Sequence, residues 1–373
     1  MRVIVTGGTT SGHVNPALAI ANTIKKNIPD SEIIFVGTKR GIENKLVPNE
    51  GYELFHVEIQ GIKRSLSLSN IKSLWLALTS PLKARKLIRK FKPDVVIGTG
   101  GYVCWPVMKA AADLKIPTAV HESNSIPGVA IKMLAKYVDR IFVNFESTKD
   151  KFPPEYRSKV MRVGNPLRGE FHRLDYNKAR EELGITGKYE KFILSCGGSM
   201  GAEKINEAII KLMTSYTSKH PEILHLHATG SIEYASTLEA YKKAGLDKFE
   251  NIRLVEYIYD MPKQMAAADL VINRAGAMTL SELAILSKTS LLIPSPNVTD
   301  NHQYKNAHEL ESANAAALIE EKDLTEINLL NTVNELLFEE KGKIMGKNIK
   351  AFALYDAQKV IFKEICDLVK TKK

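Results

Sequence analysis

The sequence predicts an α/β protein of two doubly wound domains, each a parallel sheet covered by helices. Short apolar runs alternate with helical stretches along most of the chain, the signature of parallel strands joined through helices. This alternation lapses between residues 149 and 189, around "KFPPEYR" and "VGNPLRGEF", and then resumes. Each half also opens in the same way, with an apolar strand, a glycine-rich turn and a helix. At 373 residues the chain is longer than most single cores, which fits two domains.

In the first half the strand candidates are Arg2 to Thr6, Glu32 to Val36, Leu54 to Glu58, Asp94 to Gly98, Thr118 to His121 and Arg140 to Val143. Helices fill the intervals, among them Pro16 to Lys26 and Ile126 to Lys136. A linker falls near residues 164 to 169. In the second half the strands are Phe192 to Ser195, Leu224 to Ala228, Ile252 to Val255, Leu270 to Ile272 and Ser290 to Ile293. The tail from about Ile344 to Val369 reads as one or two helices able to pack on either domain.

Composition is that of a soluble globular chain, with 44% hydrophobic and 25% charged residues. Val3 to Ile24 carries no formal charge. Gly7, Gly8, Gly12, Asn15 and Pro16 break its apolar run, so neither a signal peptide nor a membrane span is expected and the chain is placed in the cytoplasm. Cys104, Cys196 and Cys366 lie too far apart for metal-ligand or redox spacing and read as buried, reduced thiols. The formal charge of +10 suits an anionic partner. Nine of the cations, and no acid, fall between Lys63 and Lys92.

Chemistry is carried by loops at strand ends. "GGTTSGHVNP" (7 to 16) follows the first strand and contains His13. "GGSMG" (197 to 201) follows the first strand of the second half. A glycine turn entering a helix offers unpaired N–H groups to an anion, and it is equally an ordinary tight turn. Neither matches the dinucleotide fingerprint or the Walker A pattern, which disfavours oxidoreductase and P-loop readings. "NRAGAMTLSE" (273 to 282) and "DNHQYKNA" (300 to 307) also follow apolar strands, where ligands sit in open α/β sheets. Glu282 can accept hydrogen bonds from a ribose diol, and Asn301, Gln303 and Asn306 have the donor and acceptor pairs that read sugar hydroxyls. Glu282 as a helix charge and Gln303 as a solvated face are the structural alternatives.

Taken in order, "GGTTSGH", "GGYVCWPV", "HESNSIPG", "VGNPLR", "GGSMGA", "NRAGAMTLSE" and "DNHQYKNA" resemble the motifs of the MurG glycosyltransferases over essentially the whole chain. The resemblance implies a GT-B fold, two Rossmann-like domains facing across a cleft, with residues 1–164 as acceptor and membrane-facing domain and 165–349 as UDP-sugar domain. A C-terminal helix from about 350 to 373 would pack back on the first. It implies transfer of N-acetylglucosamine from UDP-N-acetylglucosamine to lipid I, giving lipid II, without a cofactor or metal. Ser199 and the turn amides would meet the diphosphate, Arg168 the nucleotide and the Ile258 backbone the uracil. Ala277, Met278, Thr279, Leu280, Ser281 and Glu282 would wrap ribose and sugar, with Gln303 and Asn306 on the N-acetylglucosamine. Thr10, Ser11, Gly12 and Asn124 would close on the donor from the first domain. The first turn is one residue longer than the common "GGTGGH" form, and "HESN" and "DNHQ" replace the common "HEQN" and "DRQQ".

The implied reaction is an inverting displacement by the 4-hydroxyl of the muramyl sugar. Its base is His13, with Glu122 the competing candidate; the alternative for His13 is a ring that caps the following helix or only positions a substrate, and for Glu122 an orienting hydrogen bond to its loop. A lipid-linked acceptor accounts for the basic segment, residues about 63–92. Ile71, Leu74, Trp75 and Leu78 recur at helical spacing, Ser80-Pro81 starts a second helix, and Leu66, Leu68, Trp75 and Leu76 beside the cations form an interfacial patch for the anionic cytoplasmic leaflet. Burial of part of this stripe in the core is the structural alternative. Another GT-B member, such as a diacylglycerol glucosyltransferase or a UDP-N-acetylglucosamine epimerase, and an inactive nucleotide-binding scaffold are the other readings. Nucleic acid is not an expected partner, since the cations are not interleaved with stacking aromatics.

Overall fold

The computed structural model describes residues 1–59, 69–167, 169–198 and 200–371. It divides into two units, Met1–Arg168 together with Asp356–Lys373, and Gly169–Tyr355.

Among the described residues the first unit holds a seven-stranded sheet: β1 (Arg2–Thr6), β2 (Glu32–Gly37), β3 (Glu53–His56), β4 (Val95–Gly98), β5 (Thr118–Glu122), β6 (Arg140–Val143) and β7 (Val160–Arg162). Their spatial order is β3-β2-β1-β4-β5-β6-β7, every pair parallel. The middle strands read as unbroken apolar runs because both faces are covered. Val3 and Val5 of β1 face one core with the helix Ser11–Asn27, while Ile4 faces a second core with the helix Cys104–Asp113. The helix Ala357–Thr371 buries Ile361, Ile365, Leu368 and Val369, one stripe at helical spacing, in the same core as Leu18 and Ile20.

In the second unit β8 (Lys191–Cys196), β9 (Ile223–Ala228), β10 (Ile252–Val255), β11 (Leu270–Asn273), β12 (Ser290–Leu292) and β13 (Ala317–Leu318) form a parallel sheet in the order β10-β9-β8-β11-β12-β13. Both sheets wind outward from their first strand and then reverse. The reversal leaves a crevice beyond the strand ends, between β1 and β4 and between β8 and β11, where ligands of such sheets bind.

The sequence reading missed β7 and β13, edge strands of three and two residues, too short to show a period. The first helix begins at Ser11, inside the glycine turn, rather than at Pro16. The expected break at Ser80-Pro81 is absent: one helix runs Ser69–Phe91 with Pro81 inside it. Its packing explains why the missing N–H is tolerated. Leu76, Ser80, Ala84 and Ile88 form a continuous buried stripe that holds the helix on the sheet through Pro81.

Candidate active site

In the first unit the loops after β1 and β4 meet at the sheet's reversal point. His13 lies in the first turn of the helix Ser11–Asn27, and the Thr99 hydroxyl donates to its backbone carbonyl at 2.7 Å. The ring sits against Gly100, whose φ of +111° suits glycine; a Cβ there would lie 2.5 Å from the ring's Cδ2. Nδ1 of His13 is 3.1 Å from the Gly8 carbonyl, an obligate acceptor, so Nδ1 carries the proton and Nε2 the lone pair. Burial lowers the His13 pKa below 6.5, against the opposing effects of the Gly8 hydrogen bond and the Glu43 charge. The half-buried imidazole is therefore neutral at neutral pH, with Nε2 able to take a proton. Thr10, Ser11 and Gly12 are exposed on the same turn.

Glu122, at the end of β5, is buried, and its carboxylate accepts from the Asn124 N–H at 2.9 Å, the Asn124 side chain at 3.0 Å and the Gly128 N–H at 2.8 Å. Those bonds fold the loop and hold half-buried Asn124 in it. The neighbouring His121 is wholly buried, donates from Nε2 to the Gly164 carbonyl at 2.9 Å and is pushed by burial down to about 4. It is a neutral structural ring. Cys104 is likewise structural: its thiol donates to the Gly100 and Thr6 carbonyls, and burial raises it to about 12.

In the second unit the turn after β8 enters the helix Glu203–Ser215, and the N–H groups at a helix start are a geometry that can attract an anion. Gly201 and Gly230 interlock beside it. A Cβ on Gly201 would lie 2.4 Å from the Thr229 carbonyl, and φ is positive at both glycines. Beneath this turn runs a buried polar chain. The Ser195 hydroxyl bonds Nε2 of His225 and Nδ1 of His227, each at 2.9 Å; Nε2 of His227 is hydrogen-bonded to the side-chain oxygen Oδ1 of Asn206 at 3.0 Å, and the Asn206 side-chain amide donates to the Thr229 carbonyl at 3.1 Å. Burial holds His227 down to about 4 and His225 well below its ordinary value.

The helix Ala277–Ile285 follows β11. Met278, Thr279 and Glu282 are half-buried, while Ala277, Leu280 and Ser281 face the core. Ile258, after β10, is buried between the exposed rings of Tyr257 and Tyr259. Gln303 accepts from the Ser295 N–H at 2.9 Å. Asn306 is fully buried and its amide donates to the Ala275 carbonyl at 3.4 Å, tying the helix His302–Ser312 to the loop that carries Ala277. Arg274 braces that loop from the other side: its guanidinium donates to the Ile293 and Pro294 carbonyls, both at 3.1 Å, and pairs with Glu321 at 2.6 Å. Arg168, Ser199 and residues 60–68, with Lys63, Arg64, Leu66 and Leu68, lie outside the described residues.

On the helix Ser69–Phe91, Trp75 and Leu82 are 60% and 66% exposed and share a face with Lys86 and Arg89, at spacings of seven, four and three. Leu76, expected in the interfacial patch, is instead 3% exposed: it falls on the opposite face and packs into the core. Among the described residues no helix is long and apolar enough to cross a membrane.

The N-terminal domain of glycosyltransferase family 28 matches residues 3–143 and the C-terminal domain of that family matches residues 192–361. The UDP-N-acetylglucosamine--N-acetylmuramyl-(pentapeptide) pyrophosphoryl-undecaprenol N-acetylglucosamine transferase of Acetivibrio thermocellus is 44% identical across 100% of this chain and 99% of its own length. A Bacillus cereus transferase of the same name, numbered 1, is 41% identical across 99% and 100%. The chain belongs to the MurG family of glycosyltransferases. The crystal structure of Acinetobacter baumannii MurG superposes with a TM-score of 0.80 at 26% identity, covering 98% of this chain and 99% of that one. A UDP-GlcNAc 2-epimerase from Neisseria meningitidis, bound to UDP-GlcNAc, matches at TM-score 0.67 and 16% identity over 98% and 100%, a likeness of fold alone. The two parallel-sheet units are those of the GT-B fold.

Sequence reasoning singled out the loops of this family but missed the side chains that hold them. Glu43, Thr99, Asn206, His227 and Arg274 stand in no motif-like spacing to their partners. Buried carboxylate, amide and imidazole groups must find hydrogen bonds, but which ones they find is set by strand order.

Proposed function

We propose that the chain transfers N-acetylglucosamine from UDP-N-acetylglucosamine to the 4-hydroxyl of the muramyl sugar of lipid I, forming lipid II for peptidoglycan, by an inverting displacement at the cytoplasmic face of the membrane. The observation that carries this reading is the full-length 44% identity to a curated enzyme named for that transfer.

His13 is the base. Its Nδ1–H is committed to the Gly8 carbonyl, which leaves the Nε2 lone pair to accept the hydroxyl proton as the glycosidic bond forms and UDP departs. Glu122, with its carboxylate engaged by three donors, serves as the anchor of the loop that carries Asn124. Thr10, Ser11 and Gly12 accompany His13 onto the donor.

The leaving diphosphate is met by Ser199, Arg168 and the N–H groups at the start of the helix Glu203–Ser215. Preorganised donors of this kind stabilise developing charge, so the proposal invokes no metal or cofactor. Glu282 takes the ribose hydroxyls and the Ile258 backbone the uracil. Ala277, Met278, Thr279, Leu280 and Ser281 form the wall beside the sugar, Gln303 reads it, and buried Asn306 acts by holding that wall. Trp75, Leu82, Lys86 and Arg89 lie on the anionic leaflet as a peripheral contact.

Incubation with radiolabelled UDP-N-acetylglucosamine and a lipid I analogue gives a labelled disaccharide-lipid if the reading holds. Label released only as free sugar, or epimerised donor without transfer, overturns it.

A further inference from the structure

We propose that Glu43 is the positioning residue for His13: its buried carboxylate clamps the first glycine turn in the shape that presents the imidazole. The inference rests on His13 as the base of the proposed transfer.

Glu43 follows β2 and begins the helix Glu43–Asn49, with 0% of its surface exposed. One carboxylate oxygen accepts the Thr9 N–H at 2.8 Å, and the other accepts the Thr38 N–H at 2.8 Å and the Thr38 hydroxyl at 2.7 Å. It thereby ties the turn after β1 to the turn after β2. Thr9 needs such a tie. Its φ is +78°, a left-handed conformation that a β-branched residue adopts only when its surroundings hold it there.

The two residues beside Thr9 set the ring of His13. The Gly8 carbonyl accepts its Nδ1–H, and Thr10 precedes the helix that carries it, its carbonyl accepting the His13 backbone N–H at 3.1 Å. The Glu43–Thr9 bond therefore lies between both supports of the base. The Glu43 charge further raises the proton affinity of His13 against burial.

Glutamine at position 43 keeps the shape but replaces one acceptor with an NH₂ donor, so Thr9 or Thr38 loses its partner. The test combines Glu43→Gln with His13→Ala in a double-mutant cycle, together with the ¹⁵N spectrum of the His13 ring. The expected result for Glu43→Gln is a fall in kcat of about tenfold or more with KM for the donor nearly unchanged, no further fall when His13 is already alanine, and loss of the dominant Nδ1–H tautomer signal. Should Glu43→Gln not fold, Thr38→Val removes one donor from the carboxylate and is read in the same way, with a fall of about twofold to threefold. A lowered melting temperature with unchanged kcat and an unchanged His13 spectrum overturns the proposal. Failure of His13 as base shows separately, as near-normal turnover by His13→Ala, and the spectrum still reports whether Glu43 sets the ring.

Discussion

Replacing Gly100 with alanine places one methyl group 2.5 Å from Cδ2 and 2.9 Å from Nε2 of His13. Carbon atoms in contact settle about 3.5 to 4 Å apart, so the ring must withdraw by about 1 Å. A side chain gives way more readily than backbone, and for that reason the chief cost falls on chemistry. A misplacement of about 1 Å is worth roughly 100-fold in rate, or about 2.7 kcal/mol of barrier. The positive φ of Gly100 adds a stability loss on the order of 1 to 3 kcal/mol. Steady-state transfer to a lipid I analogue, paired with thermal melts, separates the two effects: kcat falls about 100-fold while donor KM holds and the protein remains folded at assay temperature. Gly101→Ala acts on the same ring from its other support, since its Cβ would meet at 2.6 Å the Gly8 carbonyl that accepts the His13 Nδ1–H, backbone that cannot rotate aside. Its loss falls on stability and kcat together. Wild-type kcat in a folded Gly100→Ala enzyme would refute the placement of His13 at the reacting centre.

The acid limb of kcat should lie below pH 6.5, because burial lowers the His13 pKa and the neutral ring is the active form; a pH–rate profile whose limb sits above 6.5 contradicts this. His121 and His227, held at about 4, bind fewer protons folded than unfolded, so stability is complete above pH 6.5 and is lost as pH falls toward about 4, on the order of 3 kcal/mol for each. Melts across that window check it. Thr9→Gly relieves the left-handed threonine while retaining the amide that Glu43 accepts, and should raise first-unit stability by about 1 kcal/mol in thermal or denaturant unfolding. Trp75→Ala with Leu82→Ala should lower pelleting with anionic vesicles severalfold at low salt while leaving transfer to a water-soluble acceptor analogue near normal.

Local pattern was enough for most of the architecture. Val3 to Val5 and Val95 to Ile97 announce strands covered on both faces, and glycines grouped at strand ends mark the turns where a parallel sheet binds its ligand. His13 could be picked out because it stands in such a turn. Leu76 misled because periodicity says that a face is apolar, not whether solvent or a sheet lies against it, and Pro81 because a proline that suits a helix start is also tolerated inside a helix held by its packing. Asn306 looked like a group for reading sugar hydroxyls, yet it is sealed against Ala275, because the helix after β12 packs on the loop after β11.

Glu43 marks the boundary between what sequence and tertiary structure each determine. Nothing in "GTKRGIE" relates it to Thr9, far back along the chain. Parallel pairing of β1 with β2, Thr6 opposite Val36, brings their C-terminal turns to one edge of the sheet, and the carboxylate after β2 then meets the amide after β1. Residue pattern determined where turns and buried strands fall, since those depend on spacing along the chain. Winding order decided which turns became neighbours, and with them the hydrogen bonds and the shifted proton affinity around His13, because those depend on distances that spacing does not contain.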